Sequence, residues 1–222
     1  MLLLHGLGGQ AREWETTTDW LTERAHVVAF DARGHGDSER HPDDVSPAAH
    51  VADAASVIEE LELAPAIVIG QSYGGLTAFL LAGERPELVR ALVVAEATPE
   101  PGDEGVVAEF EQLLRDLPPE EIPPWAGGSL DVDLLVRTLR GAIDQVHWDL
   151  WTRIRCPTLV VGGEDGAVGR EEARAMAEAL PDGHTAEIAG AGHNVHLDNP
   201  AGWREAIEGF LNRLSDTPAA PA

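Results

Sequence analysis

The chain has no lysine; all fifteen of its basic residues are arginine. That excludes a Schiff-base lysine and the lysine of a phosphate-binding P-loop. It has one cysteine, Cys156, so an internal disulfide and a cysteine metal cluster are excluded, and a reducing cytoplasm is the expected compartment. Positive charge is scarce. Thirty-nine acids against fifteen bases leave a formal net charge of −24, which repels phosphate backbones and anionic membranes. Neither nucleic acid nor a membrane is therefore an expected partner. No apolar run approaches the ~20 residues of a membrane helix. The opening Met1-Leu2-Leu3-Leu4 lacks a basic flank and runs straight into His5-Gly6, so it does not read as a signal peptide.

What is present is the balance of a globular protein: 44% apolar and 24% charged residues over 222 positions. Short, continuously apolar runs alternate with amphipathic stretches. The runs at 2–4, 26–31, 66–70, 91–96, 157–162 and 185–189 read as buried parallel strands. The stretches at 11–24, 47–63, 73–83, 170–180 and 200–214 read as helices. This rhythm predicts an α/β fold with a doubly wound, mostly parallel sheet. From 98 to 155 the rhythm stops. That segment is proline-rich, has no strand candidate, and carries helix-like pieces at 104–117 and 131–151. The expected organisation is a core of 1–97 and 156–214, a helical cap insertion at 98–155, and a flexible tail at 215–222.

Gly70-Gln71-Ser72-Tyr73-Gly74 is a G-x-S-x-G placed between an apolar strand and a helix. A nucleophile on such a turn needs small neighbours, because the backbone is strained and closely approached. The turn presents the Ser72 hydroxyl and sets the Tyr73 N–H at a helix N-terminus, where it suits an oxyanion. A plain glycine-rich turn is the duller alternative. Serine needs a base, and the base needs an orienting carboxylate. His193, between the last strand and the last helix, is the candidate base; His196 is its rival. Asp165, in Gly162-Gly163-Glu164-Asp165-Gly166, is the favoured acid, because it follows a strand and falls between serine and histidine. Glu96, at the end of the preceding strand, is the alternative acid, and Glu164 a weaker one. His5-Gly6-Leu7-Gly8-Gly9 follows the first strand, and the Leu7 N–H is the expected second oxyanion donor. The turn Asp31–Ser38, with Arg33 and two glycines, reads as scaffolding. Trp125, Trp148 and Trp151 in the cap are candidate pocket residues, although they could equally fasten the cap to the sheet. Arg137, Arg140, Arg153 and Arg155 could anchor a carboxylate, but solvated arginines are the plainer reading.

Together HGLGG at 5–9, DARGHGDS at 31–38, GQSYGG at 70–75, GGED at 162–165 and GAGHNVH at 190–196 resemble the α/β-hydrolase superfamily over nearly the whole chain. They resemble its small single-cap members: esterases, lactonases, carbon–carbon hydrolases and cofactor-free perhydrolases. The resemblance implies a nucleophile Ser72, an acid Asp165, a base His193, oxyanion donors Leu7 and Tyr73, and no metal or organic cofactor. A serine nucleophile argues against the epoxide hydrolases and haloalkane dehalogenases, which use aspartate there. Members usually begin with a β-hairpin ahead of the HG loop, and here it is apparently absent. The 26–31 strand is then an exposed apolar edge, so either a homodimer through that edge or a trimmed start is expected. The expected reaction is cleavage of carboxylic esters or lactones through an acyl-enzyme, on a neutral, largely apolar small molecule. The alternatives are non-hydrolytic use of the same site, as in a cofactor-free perhydrolase, haloperoxidase or lyase, and a ligand-binding protein with little turnover.

Overall fold

A computed structural model describes residues 1–100, 102–118, 120, 122, 130–143 and 145–216. Six parallel strands form one sheet in the order β2-β1-β3-β4-β5-β6. They are β1 (Leu2–Leu4), β2 (Val28–Ala29), β3 (Ala66–Gln71), β4 (Val89–Ala95), β5 (Thr158–Gly163) and β6 (Gly183–Ile188). The continuously apolar cores of β1, β3, β4 and β5 are buried because helices cover both faces. Leu3, Ile67, Ile69, Val93 and Val161 face α1 (Glu15–Leu21) and α9 (Pro200–Asp216) through Trp20, Trp203 and Phe210. Leu2, Leu4, Val68, Leu92, Val94 and Val160 face α2 (Pro47–Glu60), α3 (Tyr73–Glu84) and α7 (Arg170–Glu178).

The strand at 26–31 is shorter than the sequence suggests. Only Val28 and Ala29 pair, with Leu2 and Leu3 of β1, and β2 is an outer strand of the sheet. The predicted helix at 11–24 begins as a 3₁₀ turn, Ala11–Trp14, before α1. Between β4 and β5 lie α4 (Glu104–Asp116), α5 (Val132–Ile143) and the short α6 (Trp148–Trp151), with no strand among the described residues. Asp103 caps α4 by accepting from the Gly105 and Val106 N–H groups. A further short helix, α8 (Val195–Asp198), carries the 190–196 segment into α9. No helix is long and apolar enough to cross a membrane.

Candidate active site

Ser72 sits between β3 and α3 at φ +53°, ψ −122°, a region that costs an ordinary residue about 1–3 kcal/mol. The surroundings enforce it. The Ser72 N–H donates to the Ala95 carbonyl at 2.8 Å, and its own carbonyl accepts from the Leu76 N–H at 2.9 Å. A Cβ on Gly70 would overlap the Gly74 carbonyl, and one on Gly74 would overlap the Leu4 carbonyl. Both motif glycines are therefore needed for packing, as the strained turn predicts.

The neighbouring loop is held by two buried histidines. The Gly8 N–H donates to His35 Nε2 at 3.0 Å, and the Ala32 N–H donates to His5 Nε2 at 2.9 Å. Each Nε2 is thus an acceptor, so each Nδ1 carries the proton and donates, to the Gly6 carbonyl from His5 and to the Arg33 carbonyl from His35. Burial lowers the His5 pKa and brings that of His35 down to about 3, so both stay neutral. The Gly9 N–H turns back to the Gly6 carbonyl. The Leu7 N–H has no protein partner among the described residues. The Asp31–Ser38 turn supports this loop further. Asp31 accepts from the Ala11 and Asp37 N–H groups, and Arg33 makes a bidentate pair with Asp53 at 2.7 Å.

His193 Nδ1 meets Glu96 Oε2 at 3.2 Å. The imidazole is 46% exposed, while the Glu96 side chain is completely buried. Glu96 follows β4 at φ +54°, and its carboxylate accepts from the Gly163 N–H at 2.7 Å and the Ala167 N–H at 2.6 Å. The 162–167 loop wraps this carboxylate so tightly that a Cβ on Gly166 would overlap it. Asp165, the favoured acid in the sequence, is exposed. Its N–H donates to the Ala191 carbonyl, and its side chain makes no hydrogen bond or ion pair among the described residues. The sequence favours Asp165 as the acid, but in the structure the carboxylate beside His193 is that of Glu96: Gly166 makes room for it, while Gly162 and Gly163 make room for the carbonyls of Val168, Ala191 and Gly192. Glu164 is turned away and accepts from the Gly190 N–H. His196, the rival base, is buried against Trp14 with ring centroids 4.2 Å apart and is not among the residues lining the cavity.

One residue inside the motif was overlooked. Gln71 is buried, and its Nε2 donates to the His193 carbonyl at 2.8 Å. It ties the histidine loop to the serine turn. The motif treats this position as free, so only the tertiary contact reveals it.

Ser72, Tyr73, Leu7, Glu96 and His193 line one cavity of about 780 Å³. Its far wall is apolar, built from Val106, Phe110, Leu113 and Leu114 of α4, and Leu139 and Ile143 of α5. Trp148 and Trp151 are not among its lining residues. Trp151 is buried, donating to the Met176 carbonyl and packing on Phe79. Trp148 donates to Glu100, and Trp125 lies outside the described residues. Arg137, Arg140 and Arg155 are used elsewhere, on the Pro42 carbonyl, Glu104 and the carbonyls of Thr152 and Ile154. Neither they nor Arg153 line the cavity. No group of three or more His, Cys, Asp or Glu side chains suited to a metal ion occurs among the described residues.

A sequence profile of the alpha/beta hydrolase family matches residues 1–206. The chain belongs to that family. Among curated relatives, it is 27% identical to the sn-1-specific diacylglycerol lipase ABHD11 of Mus musculus, over 95% of this chain and 80% of the relative. It is also 27% identical to the (E)-2-((N-methylformamido)methylene)succinate hydrolase of Acinetobacter baylyi, over 95% of this chain and 89% of the relative. Among solved structures, the enol-lactonase from Burkholderia xenovorans superposes with a TM-score of 0.82 at 19% identity, covering 95% of this chain and 90% of the other. This alpha/beta hydrolase is an enzyme of the hydrolase class, like the named hydrolases among its curated relatives.

Proposed function

We propose that this hydrolase cleaves carboxylic esters or lactones with Ser72 as nucleophile, His193 as base and Glu96 as the orienting acid. The observation that carries the reading is the 3.2 Å contact of His193 Nδ1 with the buried Glu96 carboxylate, in the cavity that also holds the strained Ser72. A carboxylate on Nδ1 fixes the tautomer in which Nε2 is free to accept a proton. His193 takes the Ser72 proton as the hydroxyl attacks the carbonyl carbon. The Leu7 and Tyr73 N–H groups hold the oxyanion, each worth about 3–4 kcal/mol in comparable sites. The protonated His193 gives its proton to the leaving alcohol, and water hydrolyses the acyl-enzyme by the same steps. Segment 98–155 is read as the cap, and the apolar wall from α4 and α5 suits a hydrocarbon chain on the substrate. The charge of −24 disfavours anionic substrates.

A fluorophosphonate probe with mass mapping tests the nucleophile, and a panel of p-nitrophenyl esters and lactones of graded acyl length tests the reaction. Labelling confined to Ser72 and lost in Ser72→Ala, with turnover rising as the acyl chain lengthens, supports the reading. Folded protein that neither labels nor turns over any ester would return the site to ligand binding or non-hydrolytic chemistry.

A further inference from the structure

We propose that Glu13 is a specificity-determining residue of this cavity, a carboxylate that selects esters carrying a positive charge. The proposal rests on the hydrolytic reading above and names the substrate class for it. Glu13 lies in the 3₁₀ turn that follows the HG loop. Its two carboxylate oxygens lie 2.6 and 3.1 Å from the point a Cβ on Gly9 would occupy. It therefore rests directly on the loop that carries the Leu7 N–H, and Glu13, Gly9, Leu7 and Ser72 share the cavity wall.

Among the described residues four carboxylates line this cavity, and three are occupied by the protein. Glu96 holds two backbone N–H groups and His193. Glu172 accepts from Thr98 Oγ1 at 2.6 Å, and Glu100 accepts from Trp148 Nε1 at 2.5 Å. The Glu13 carboxylate has no side-chain partner among the described residues; only the nearby Gln10 N–H, at the start of the same turn, favours its charged form. No arginine is among the described lining residues, and the chain has no lysine. A half-buried carboxylate facing a cavity without a cation is expensive to ionise. Burial accordingly pushes the Glu13 pKa up to about 7; the Gln10 N–H pulls it down and Asp31 pushes it further up. The other ionisable groups around it do not neutralise it. His5 and His35 under the loop are held neutral, Arg12 is paired with Glu15, and His193 across the cavity faces Glu96. A cation brought by the substrate would supply the missing counter-charge.

Two p-nitrophenyl esters of the same shape test this: 4-(trimethylammonio)butyrate and its neutral isostere 5,5-dimethylhexanoate. The readout is the ratio of their kcat/KM values, in which pH effects common to both esters cancel. For the wild type at about pH 8 the cationic ester is expected to lead by about tenfold, and the lead to shrink about fivefold near pH 6, where Glu13 takes up a proton. Glu13→Gln keeps the shape and an acceptor for the Gln10 N–H but removes the charge, so its ratio should be low and flat with pH. A ratio that Glu13→Gln leaves unchanged overturns the proposal and leaves Glu13 as a structural residue of the turn only. If neither ester is turned over, the hydrolytic reading fails separately. Calorimetry with choline and the isosteric 3,3-dimethylbutan-1-ol then decides for Glu13. Tighter choline binding that disappears in Glu13→Gln upholds the charge selection; equal binding in both proteins refutes it.

Discussion

Replacing Glu96 by glutamine should cripple turnover far more than replacing Asp165 by asparagine. The carboxylate contacts His193 Nδ1 at 3.2 Å and takes two backbone N–H bonds at 2.7 and 2.6 Å. A glutamine offers one oxygen where the carboxylate offers two, so its NH₂ group must face a donor. Either His193 loses its acceptor or a loop N–H does. By analogy with loss of the orienting carboxylate in other triads, kcat should fall by ~10⁴-fold, or about 5 kcal/mol of barrier. The unmet N–H should also cost about 1–3 kcal/mol of stability. Asp165 is exposed and its side chain has no partner, so Asp165→Asn should stay within about twofold in kcat and ±0.5 kcal/mol in stability. The assay is initial-rate hydrolysis of one p-nitrophenyl ester, corrected for active sites with the fluorophosphonate probe, with a thermal melt on each variant. A hundredfold loss in Asp165→Asn, with Glu96→Gln still active, would refute the reasoning. It would mean that the 162–167 loop rearranges to bring Asp165 to His193 during turnover.

Three further outcomes are expected. Stability should fall in mild acid, because burial holds His35 at about 3 and His50 and His196 at about 4. The unfolded chain then binds more protons than the native one below about pH 6.5, so this stability is present at pH 7 and lost as pH falls. From pH 7 to 5 the three histidines cost about 5 kcal/mol together, opposed by at most about 2 kcal/mol from the raised Glu13 and less for the part of it in solvent. Urea titrations across that range check it, and a flat profile would contradict the buried neutral histidines. Gln71→Leu removes the bond to the His193 carbonyl, so kcat should drop more than about tenfold with KM little changed; a pure KM effect would argue against the tether. Gly166→Ala forces a Cβ into the Glu96 carboxylate, which should cost about 1–3 kcal/mol and lower kcat as Glu96 shifts, readable by melting and rate together.

The sheet and its helices were legible in the sequence because burial on both faces leaves a local signature, the unbroken apolar runs at 66–70, 91–96 and 157–162. The serine turn was legible because its glycines are demanded by atoms only a few residues away, with one contact to β1. His193 was legible for the same reason, on a glycine-flanked loop at a sheet end. The acid was not. Glu96 and Asp165 both follow strands, and both fall between serine and histidine in chain order. What separates them is which carboxylate is enclosed, and that depends on the Gly163 and Ala167 N–H groups, 67 and 71 residues from Glu96. The cavity wall likewise escaped the sequence. The tryptophans of the 98–155 segment are its most conspicuous residues, yet Trp151 packs on Phe79 and the Met176 carbonyl while aliphatic residues and Phe110 of α4 and α5 line the cavity. The lack of lysine follows from composition alone. That Glu13 faces the cavity with no cation of the chain beside it is a fact of where the HG loop folds, which only the tertiary structure decides.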